Sequence, residues 1–224
     1  MNFTELFKIA AESGGILFIM PILLLIVLWV SFERFLFLNR MTHLGEQSAQ
    51  SLDQLPDLNA HNLRPLAEST PAPFKALLEV PLRYPNIRDS GRMAEILQEV
   101  VMRQVPTLDR GLWILDTTVT LAPLLGLLGT IVGMFHAFQV LDSVSNHPTA
   151  ITGNVAEALL ATAAGLVMAI IGLITFNGLH NRMRLVVHQM ETLRTMLVNR
   201  LEGLEQHELG ASSAKPVYYA AQEA

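Results

Sequence analysis

The chain contains no cysteine among its 224 residues. This absence excludes a disulfide framework, a cysteine-ligated metal site and a thiol nucleophile. The seven histidines are scattered, and none forms a pair at the spacing that metal-binding helices use. The sequence therefore predicts no metal site and no cofactor. The formal net charge of −5 says little about partners, and we predict no nucleic-acid partner.

Charged residues are also scarce, and three long stretches have none. Only 16% of the residues are charged, whereas 51% are hydrophobic. A helix of roughly 20 apolar residues is long enough to cross the hydrocarbon core of a bilayer. The composition therefore predicts an all-α integral membrane protein with spans at residues 16–38, 112–141 and 154–179.

The segments between and beyond the spans are assigned from polarity and periodicity. Apolar residues from Leu179 to Leu204 recur at steps of three and four, so we expect the third span to continue as a helix that packs on other helices. Residues 89–104 predict an amphipathic helix that ends at Pro106, whereas residues 45–73 predict loops and short helices. The remaining assignments are an N-terminal lead (1–15), a cytoplasmic helical region (39–111), a periplasmic turn (142–153), the continuation of the third span (180–205) and a flexible tail (206–224).

Lysine and arginine are almost missing from one side of these spans. Lys8 is the only one of the 15 that precedes the first span or lies between the second and third. Arg34 and Arg40 follow the uninterrupted apolar run at residues 16–32, whereas a signal peptide has its basic residues before its apolar run. The positive-inside rule therefore predicts a retained first span, a periplasmic N-terminus and a cytoplasmic C-terminus.

The second and third spans are rich in small residues and contain several threonines. Small residues let neighbouring helix backbones approach closely, and contact with lipid does not require them. Thr120 and Thr130 lie on one stripe of the second span, and Thr162 lies in the third. These hydroxyls either bond to carbonyls of their own helices or line a polar path, and the pattern leaves both open. The residues predicted to pack the helices together are Gly126, Gly129, Gly133, Ala161 and Gly165.

Glu157 near the start of the third span also has two interpretations. Asn154 and Glu157 have the spacing of a capping box, in which Asn154 would cap the helix and Glu157 would reach back to it. Alternatively, Glu157 lies at the outer mouth of a polar path and attracts cations. The local pattern favours neither.

No Asp, Glu, Lys or Arg lies near the middle of any predicted span. A proton relay through hydrocarbon generally needs a titratable group there, and threonine does not change charge at accessible pH. If the protein conducts protons, a second polypeptide has to supply that group.

Two segments, APLLGLLGTIVGMFHAF (122–138) and NVAEALLATAAGLVMAI (154–170), resemble the ExbB/TolQ/MotA proton-channel family, and ExbB most closely. The resemblance extends to the order of the spans, the long polar interlude and the extended third helix. It implies a homo-oligomeric ring, a pentamer in this family, in the inner membrane of Gram-negative bacteria. The ring would surround helices of an ExbD- or TolR-type single-span partner, whose membrane aspartate carries the proton.

The resemblance also implies roles for individual residues. Thr130 and Thr162 match polar residues that line the family's pore and face the partner aspartate, and Glu157 matches an acidic residue at the pore mouth or assembly surface. Thr120 joins this proton-path set because it lies on the same stripe as Thr130.

The function expected from this resemblance is conversion of proton-motive force into work on TonB, for siderophore and vitamin uptake, by a protein that is not an enzyme. A TolQ-type subunit acting with TolR and TolA on envelope integrity is the alternative within the family. A non-conducting membrane scaffold is the alternative from another class, and its discriminating property is the absence of proton flux. An intramembrane enzyme is disfavoured because no Ser-His or Asp-Asp pair is suitably spaced within the spans.

Overall fold

The structure is a computed structural model that describes residues 16–87, 89–143 and 148–213. All regular secondary structure in these ranges is helical, and three helices are long and apolar enough to cross a membrane. This confirms the predicted helical fold class with three candidate spans. The helices are α1 (Ile16–Asp53), α2 (Ala60–Ser69), α3 (Phe74–Arg83), α4 (Ser90–Asp109), α5 (Leu112–Ser143) and α6 (Pro148–Ser213).

The chain divides into two compact units. The membrane unit comprises residues 16–38 and Asp109–Arg182, and the helical unit comprises Asn39–Leu108 and residues 183–213. The membrane unit contains the apolar parts of α1, α5 and α6.

The membrane unit buries few large side chains and exposes many. Met20, Ala122 and Met168 form a small buried cluster that joins α1, α5 and α6. Trp29 is 75% exposed and Ile174 is 70% exposed, as are many other large apolar side chains to lesser extents. An apolar surface of this extent is expected to contact lipid or neighbouring chains.

In the helical unit, α1 and α6 pack along matching rows of buried side chains. On α6, Leu193 and Leu197 are at most 1% exposed, and this row of residues was predicted from the sequence. Arg200 near the end of the row donates hydrogen bonds of 2.8 Å to the carbonyls of Asp53 and Leu55. These bonds satisfy carbonyl groups at the C-terminal end of α1, which have no partners within the helix. The buried α6 row in this unit is Met183, Val186, Met190, Leu193 and Leu197.

The α1 helix is longer than the sequence analysis predicted. Residues 45–53 were assigned to loops and short helices because of their Ser and Gln content, yet α1 continues to Asp53. Met41, Ser48 and Leu52 are buried at helical spacing on one face of this segment, and Gly45 lies between them. Packing along this face outweighs the weak helix propensity of the polar residues between them.

The amphipathic α4 forms where it was predicted but does not stop at Pro106. The Asp89 carboxylate accepts a 2.9 Å hydrogen bond from the Gly91 N–H at its start, as expected for a helix-initiating aspartate. The helix continues to Asp109, and Leu108 beyond the proline is only 1% exposed. Burial of Leu108 offsets the one helical hydrogen bond that the proline cannot donate.

The third apolar helix begins earlier than predicted. Helix α6 starts at Pro148, not at Asn154, and proline is favoured in the first turn of a helix because its missing N–H would be unpaired there. The same helix includes residues 154–179 and 180–205 and continues to Ser213. The predicted lead (1–15), residues 144–147 of the predicted turn and residues 214–224 of the predicted tail lie outside the described residues.

Candidate polar path and helix-packing site

Backbones of α5 and α6 lie in direct contact at two glycines. A Cβ atom added at Gly165 would lie 2.5 Å from the Ala122 carbonyl oxygen, and one added at Gly126 would lie 3.0 Å from the Ala161 carbonyl oxygen. These four residues are all buried. Small residues at this contact let the two helices approach more closely than larger side chains would allow.

Thr162 forms a hydrogen bond across this contact. Its hydroxyl donates to the Gly126 carbonyl oxygen on α5 at 2.9 Å. The direction is unambiguous, since a carbonyl oxygen can only accept. Gly126 thus contacts α6 and also accepts the hydrogen bond from the Thr162 hydroxyl. The helices can come this close because Gly126 has no side chain.

The other two threonines of the predicted path bond within their own helix. The Thr130 hydroxyl donates to the Leu127 carbonyl at 2.6 Å, and the Thr120 hydroxyl donates to the Thr117 carbonyl at 2.8 Å. Both bonds are exposed at the surface of α5. The structure brings Thr162 to Gly126 and leaves Thr120 and Thr130 on the face of α5.

Glu157 lies inside α6 and not at its first turn. Because the helix begins at Pro148, Asn154 has helical residues on both sides and cannot serve as its N-cap, so the capping-box interpretation is wrong. Glu157 is half-buried.

The two remaining residues of the predicted packing set differ in burial. Gly129 is buried, whereas Gly133 is half-buried. Four members of the set are therefore buried, namely Gly126, Gly129, Ala161 and Gly165.

Sequence reasoning missed two features of this site. The acceptor for Thr162 is a backbone carbonyl, which no side-chain pattern reveals. Met20 of α1 also reaches the contact, with its Cε atom 3.2 Å from the Cβ position of Gly165. The apolar part of α1 has no polar face that would show which side is buried. The contact of Met20 with Gly165 therefore could not be predicted from the sequence.

Arginines mark one boundary of the membrane unit. The Arg182 guanidinium lies 4.5 Å from the centre of the Phe35 ring, and the Arg34 guanidinium lies 5.4 Å from that of Phe37. Arg34 also pairs with Glu33 at 3.0 Å. Such cation–π contacts allow a cation to lie beside apolar surface.

Within the described residues, no group of three or more His, Asp and Glu side chains could hold a metal ion. The middle of α5, between Asp116 and Asp142, has no Asp, Glu, Lys or Arg, and its polar groups are hydroxyls, backbone groups and the side chains of His136 and Gln139. The arrangement can therefore solvate a proton or a protonated group but has no carboxylate to bind the proton in mid-span.

These features define a polytopic helical membrane protein whose second and third spans pack through small residues and carry hydroxyl groups. The chain belongs to the MotA/TolQ/ExbB proton channel family, which matches residues 69–192. This confirms the resemblance found in the sequence and makes the protein a proton-channel family subunit.

Individual relatives agree with this family. The chain is 29% identical over 172 residues to a putative biopolymer transport protein, ExbB-like 1, of Synechocystis sp., an alignment that covers 74% of this chain and 66% of the relative. It is 33% identical over 119 residues to the biopolymer transport protein ExbB of Neisseria gonorrhoeae, covering 53% and 50%. It is 33% identical over 114 residues to the Tol-Pal system protein TolQ of Haemophilus influenzae, covering 50% of each.

These alignments span between 50% and 66% of the lengths of the three relatives. The family is thus established. The chain is 33% identical to an ExbB and also to a TolQ, so sequence identity does not distinguish an ExbB role from a TolQ role.

Proposed function

We propose that this chain is the channel-wall subunit of an ExbB-type motor in the bacterial inner membrane. Copies of the chain form a ring, a pentamer by the family resemblance, around an ExbD- or TolR-type partner. The N-terminus faces the periplasm and the C-terminus the cytoplasm, in keeping with the distribution of Lys and Arg.

The observation that carries this proposal is a wall that has hydroxyls but no Asp, Glu, Lys or Arg near the middle of the membrane. Thr120, Thr130 and Thr162 place oxygen atoms along two closely packed spans that have no acid or base in their middle. Glu157 would lie at the periplasmic end of this wall. A partner carboxylate that picks up and releases protons against the wall then completes the path.

The energy available is sufficient for mechanical work. One charge that crosses a potential of 100 mV releases about 2.3 kcal/mol. A hydrogen bond to a charged group contributes about 1.5–3 kcal/mol, so each proton can break about one such contact in the moving partner. Motion of the partner would then be passed to a TonB-type protein that drives nutrient uptake across the outer membrane.

The test begins with gentle purification from native membranes and identification of any single-span protein that accompanies the chain. The chain alone, the complex, and a complex whose partner aspartate is replaced by asparagine are then placed in liposomes that contain a pH-sensitive dye. A potassium gradient with valinomycin supplies the voltage. We expect proton flux from the unaltered complex only.

Two results would contradict the proposal. Voltage-driven proton current through the chain alone would show that the proton-binding group is not supplied by a partner. A complex that assembles but gives no flux would favour a non-conducting scaffold.

A TolQ-type role is the second candidate, and the equal identity to an ExbB and to a TolQ supports keeping it. Deletion of the gene separates the two. Loss of siderophore uptake with an intact envelope supports the ExbB-type role, whereas detergent sensitivity and cell-division defects with normal uptake support the TolQ-type role.

A further inference from the structure

Arg34, just beyond the apolar run of α1, is a largely buried cation with an unsatisfied donor. Its side chain is 11% exposed, and a carboxylate oxygen of Glu33 lies 3.0 Å from its Nε atom. Nε is nevertheless buried without a hydrogen-bond acceptor in the part of the chain that the structure describes, so Glu33 supplies charge but not a hydrogen bond. Buried polar groups are costly without a partner, so this guanidinium needs a further acceptor.

The start of α5 lies directly beside this guanidinium. A Cβ atom added at Gly111 would be 3.2 Å from Nε of Arg34 and 3.9 Å from its Cζ atom. Gly111 precedes Leu112, the first residue of the 32-residue helix α5. The first N–H groups of a helix have no acceptor within it, and the helix dipole makes this end positive. A second positive group at such an end is unfavourable by itself, whereas an anion that contacts both is stabilised by both.

The surroundings of the site identify where such an anion would come from. The uninterrupted apolar run of α1 ends at Phe32, two residues before Arg34. Phe32 is 65% exposed, and Trp113 in the first turn of α5 is 67% exposed. Aromatic and basic residues at the end of an apolar span are typical of the level at which lipid headgroups lie. The anion that this position offers is the phosphate of a phospholipid whose acyl chains lie along the spans.

We propose that Arg34 and the first turn of α5 form a binding site for the phosphate of a membrane phospholipid. The two terminal nitrogens of a guanidinium carry paired N–H groups that match two oxygens of one phosphate. The site requires only that α1 and α5 cross a membrane. It therefore goes beyond the proposed function and does not depend on proton conduction.

The charges around the site make Glu33 a competitor of the lipid. Glu33 is the carboxylate in contact with Arg34, and its side chain is 50% exposed, so it can move away when a phosphate binds. Removal of this carboxylate should therefore strengthen lipid binding. The other charged residues next to the site in the sequence are Asp109, Arg110 and Asp116.

The test measures the dissociation constant of the first bound lipid. The full chain is stripped of lipid in detergent and titrated with phosphatidylglycerol, and bound lipid is counted by native mass spectrometry. Diacylglycerol with the same acyl chains, which lacks the phosphate, and inorganic phosphate, which lacks the chains, are titrated in parallel. We expect phosphatidylglycerol to bind at least about tenfold more tightly than either, because a hydrogen bond to a charged group contributes about tenfold or more.

Three variants and one control locate the site. Arg34→Gln should weaken phosphatidylglycerol binding by about tenfold or more, and Arg34→Lys should weaken it less, since lysine keeps the charge but not the paired N–H groups. Glu33→Gln should strengthen binding by about two- to fivefold, the strength of a surface ion pair. Arg92→Gln is the matched control, because Arg92 is a 63% exposed arginine that also pairs with a glutamate, and its dissociation constant should not change.

Several results would overturn the inference. An unchanged dissociation constant in Arg34→Gln would place the lipid elsewhere, and equal binding of diacylglycerol would show that the phosphate is not recognised. Inorganic phosphate that binds as tightly as the lipid would make this a site for the free ion. If Arg34→Gln did not fold, Glu33→Gln would still decide, since a purely structural ion pair predicts no gain in affinity. Absence of proton flux would leave all these constants unchanged, so failure of the proposed function is a separate result.

Discussion

Gly45 provides the sharpest test of how α1 and α6 pack in the helical unit. A Cβ atom at Gly45 would collide with the Gln189 side-chain oxygen and would lie 2.5 Å from Cζ of Phe74. Phe74 is fully buried, and the Gln189 amide donates a 2.9 Å hydrogen bond to the Thr42 carbonyl. Gly45→Ala therefore has to move a core ring, or the side chain that makes this bond.

The magnitude follows from three opposing effects. Replacing glycine by alanine inside a helix stabilises the helix by about 1 kcal/mol. Overpacking a well-filled site costs about 1–3 kcal/mol, and loss of the Gln189–Thr42 hydrogen bond costs about 0.5–1.5 kcal/mol. The net expectation for Gly45→Ala is destabilisation by about 2 kcal/mol, which lowers the thermal midpoint by about 4–8 °C for a chain of this size.

The assay is thermal unfolding of the full chain in detergent, with Gly203→Ala as the matched control. Gly203 is an exposed helical glycine of the same unit, and a Cβ atom there meets nothing within 4 Å. Its replacement should raise the midpoint slightly through helix propensity alone. If Gly45→Ala raised the midpoint as Gly203→Ala does, the close packing at Gly45 would be refuted.

A second variant separates steric overlap from other causes. Phe74→Leu removes the Cζ atom that the new methyl group would meet. The double variant Gly45→Ala/Phe74→Leu should be less destabilised than the sum of the two single variants, because the smaller leucine leaves room for the new methyl group, which in turn fills part of the cavity.

Further predictions concern a helix end, a turn and the Glu157 carboxylate. Arg200→Lys should cost about 1–2 kcal/mol in thermal unfolding, because a lysine cannot reproduce the two 2.8 Å bonds to Asp53 and Leu55, and an unchanged midpoint would contradict this. Gly111 has a φ of +84°, so Gly111→Ala should cost about 1–2 kcal/mol and Gly111→Asn less, whereas equal midpoints for the two variants would be inconsistent with conformational strain. Glu157→Gln should lower proton flux in reconstituted complexes without lowering the midpoint, whereas a stability loss with normal flux would indicate a structural role.

The sequence predicted the helical class and the three candidate spans because both follow from composition and length. The α6 row from Leu179 to Leu197 was also predictable, since apolar residues at steps of three and four stand out against polar neighbours. The extension of α1 to Asp53 was not predicted, because serine and glutamine in this segment are more typical of a loop. The start of α6 was missed because the Asn154–Glu157 spacing imitates a cap within a helix.

The structure shows close approach of the backbones at Gly126 and Gly165, but the bonds at this contact had no signal in the sequence. Gly126 and Gly165 were identified as packing positions because small residues in an apolar helix have few other uses. The bond from Thr162 to a carbonyl of another helix depends on the distance and rotation between α5 and α6. Neither the distance nor the rotation can be predicted from helices whose surfaces are apolar on every side.

Two glycines thus allow close packing, but in environments that differ physically. At Gly45, large buried side chains surround the contact, so removal of apolar surface from water holds the helices together and an added methyl group opposes it directly. At Gly165, lipid removes that driving force, and close packing with one hydrogen bond from Thr162 has to set the separation. The same methyl group is therefore expected to change mainly stability at position 45, but both stability and proton flux at position 165.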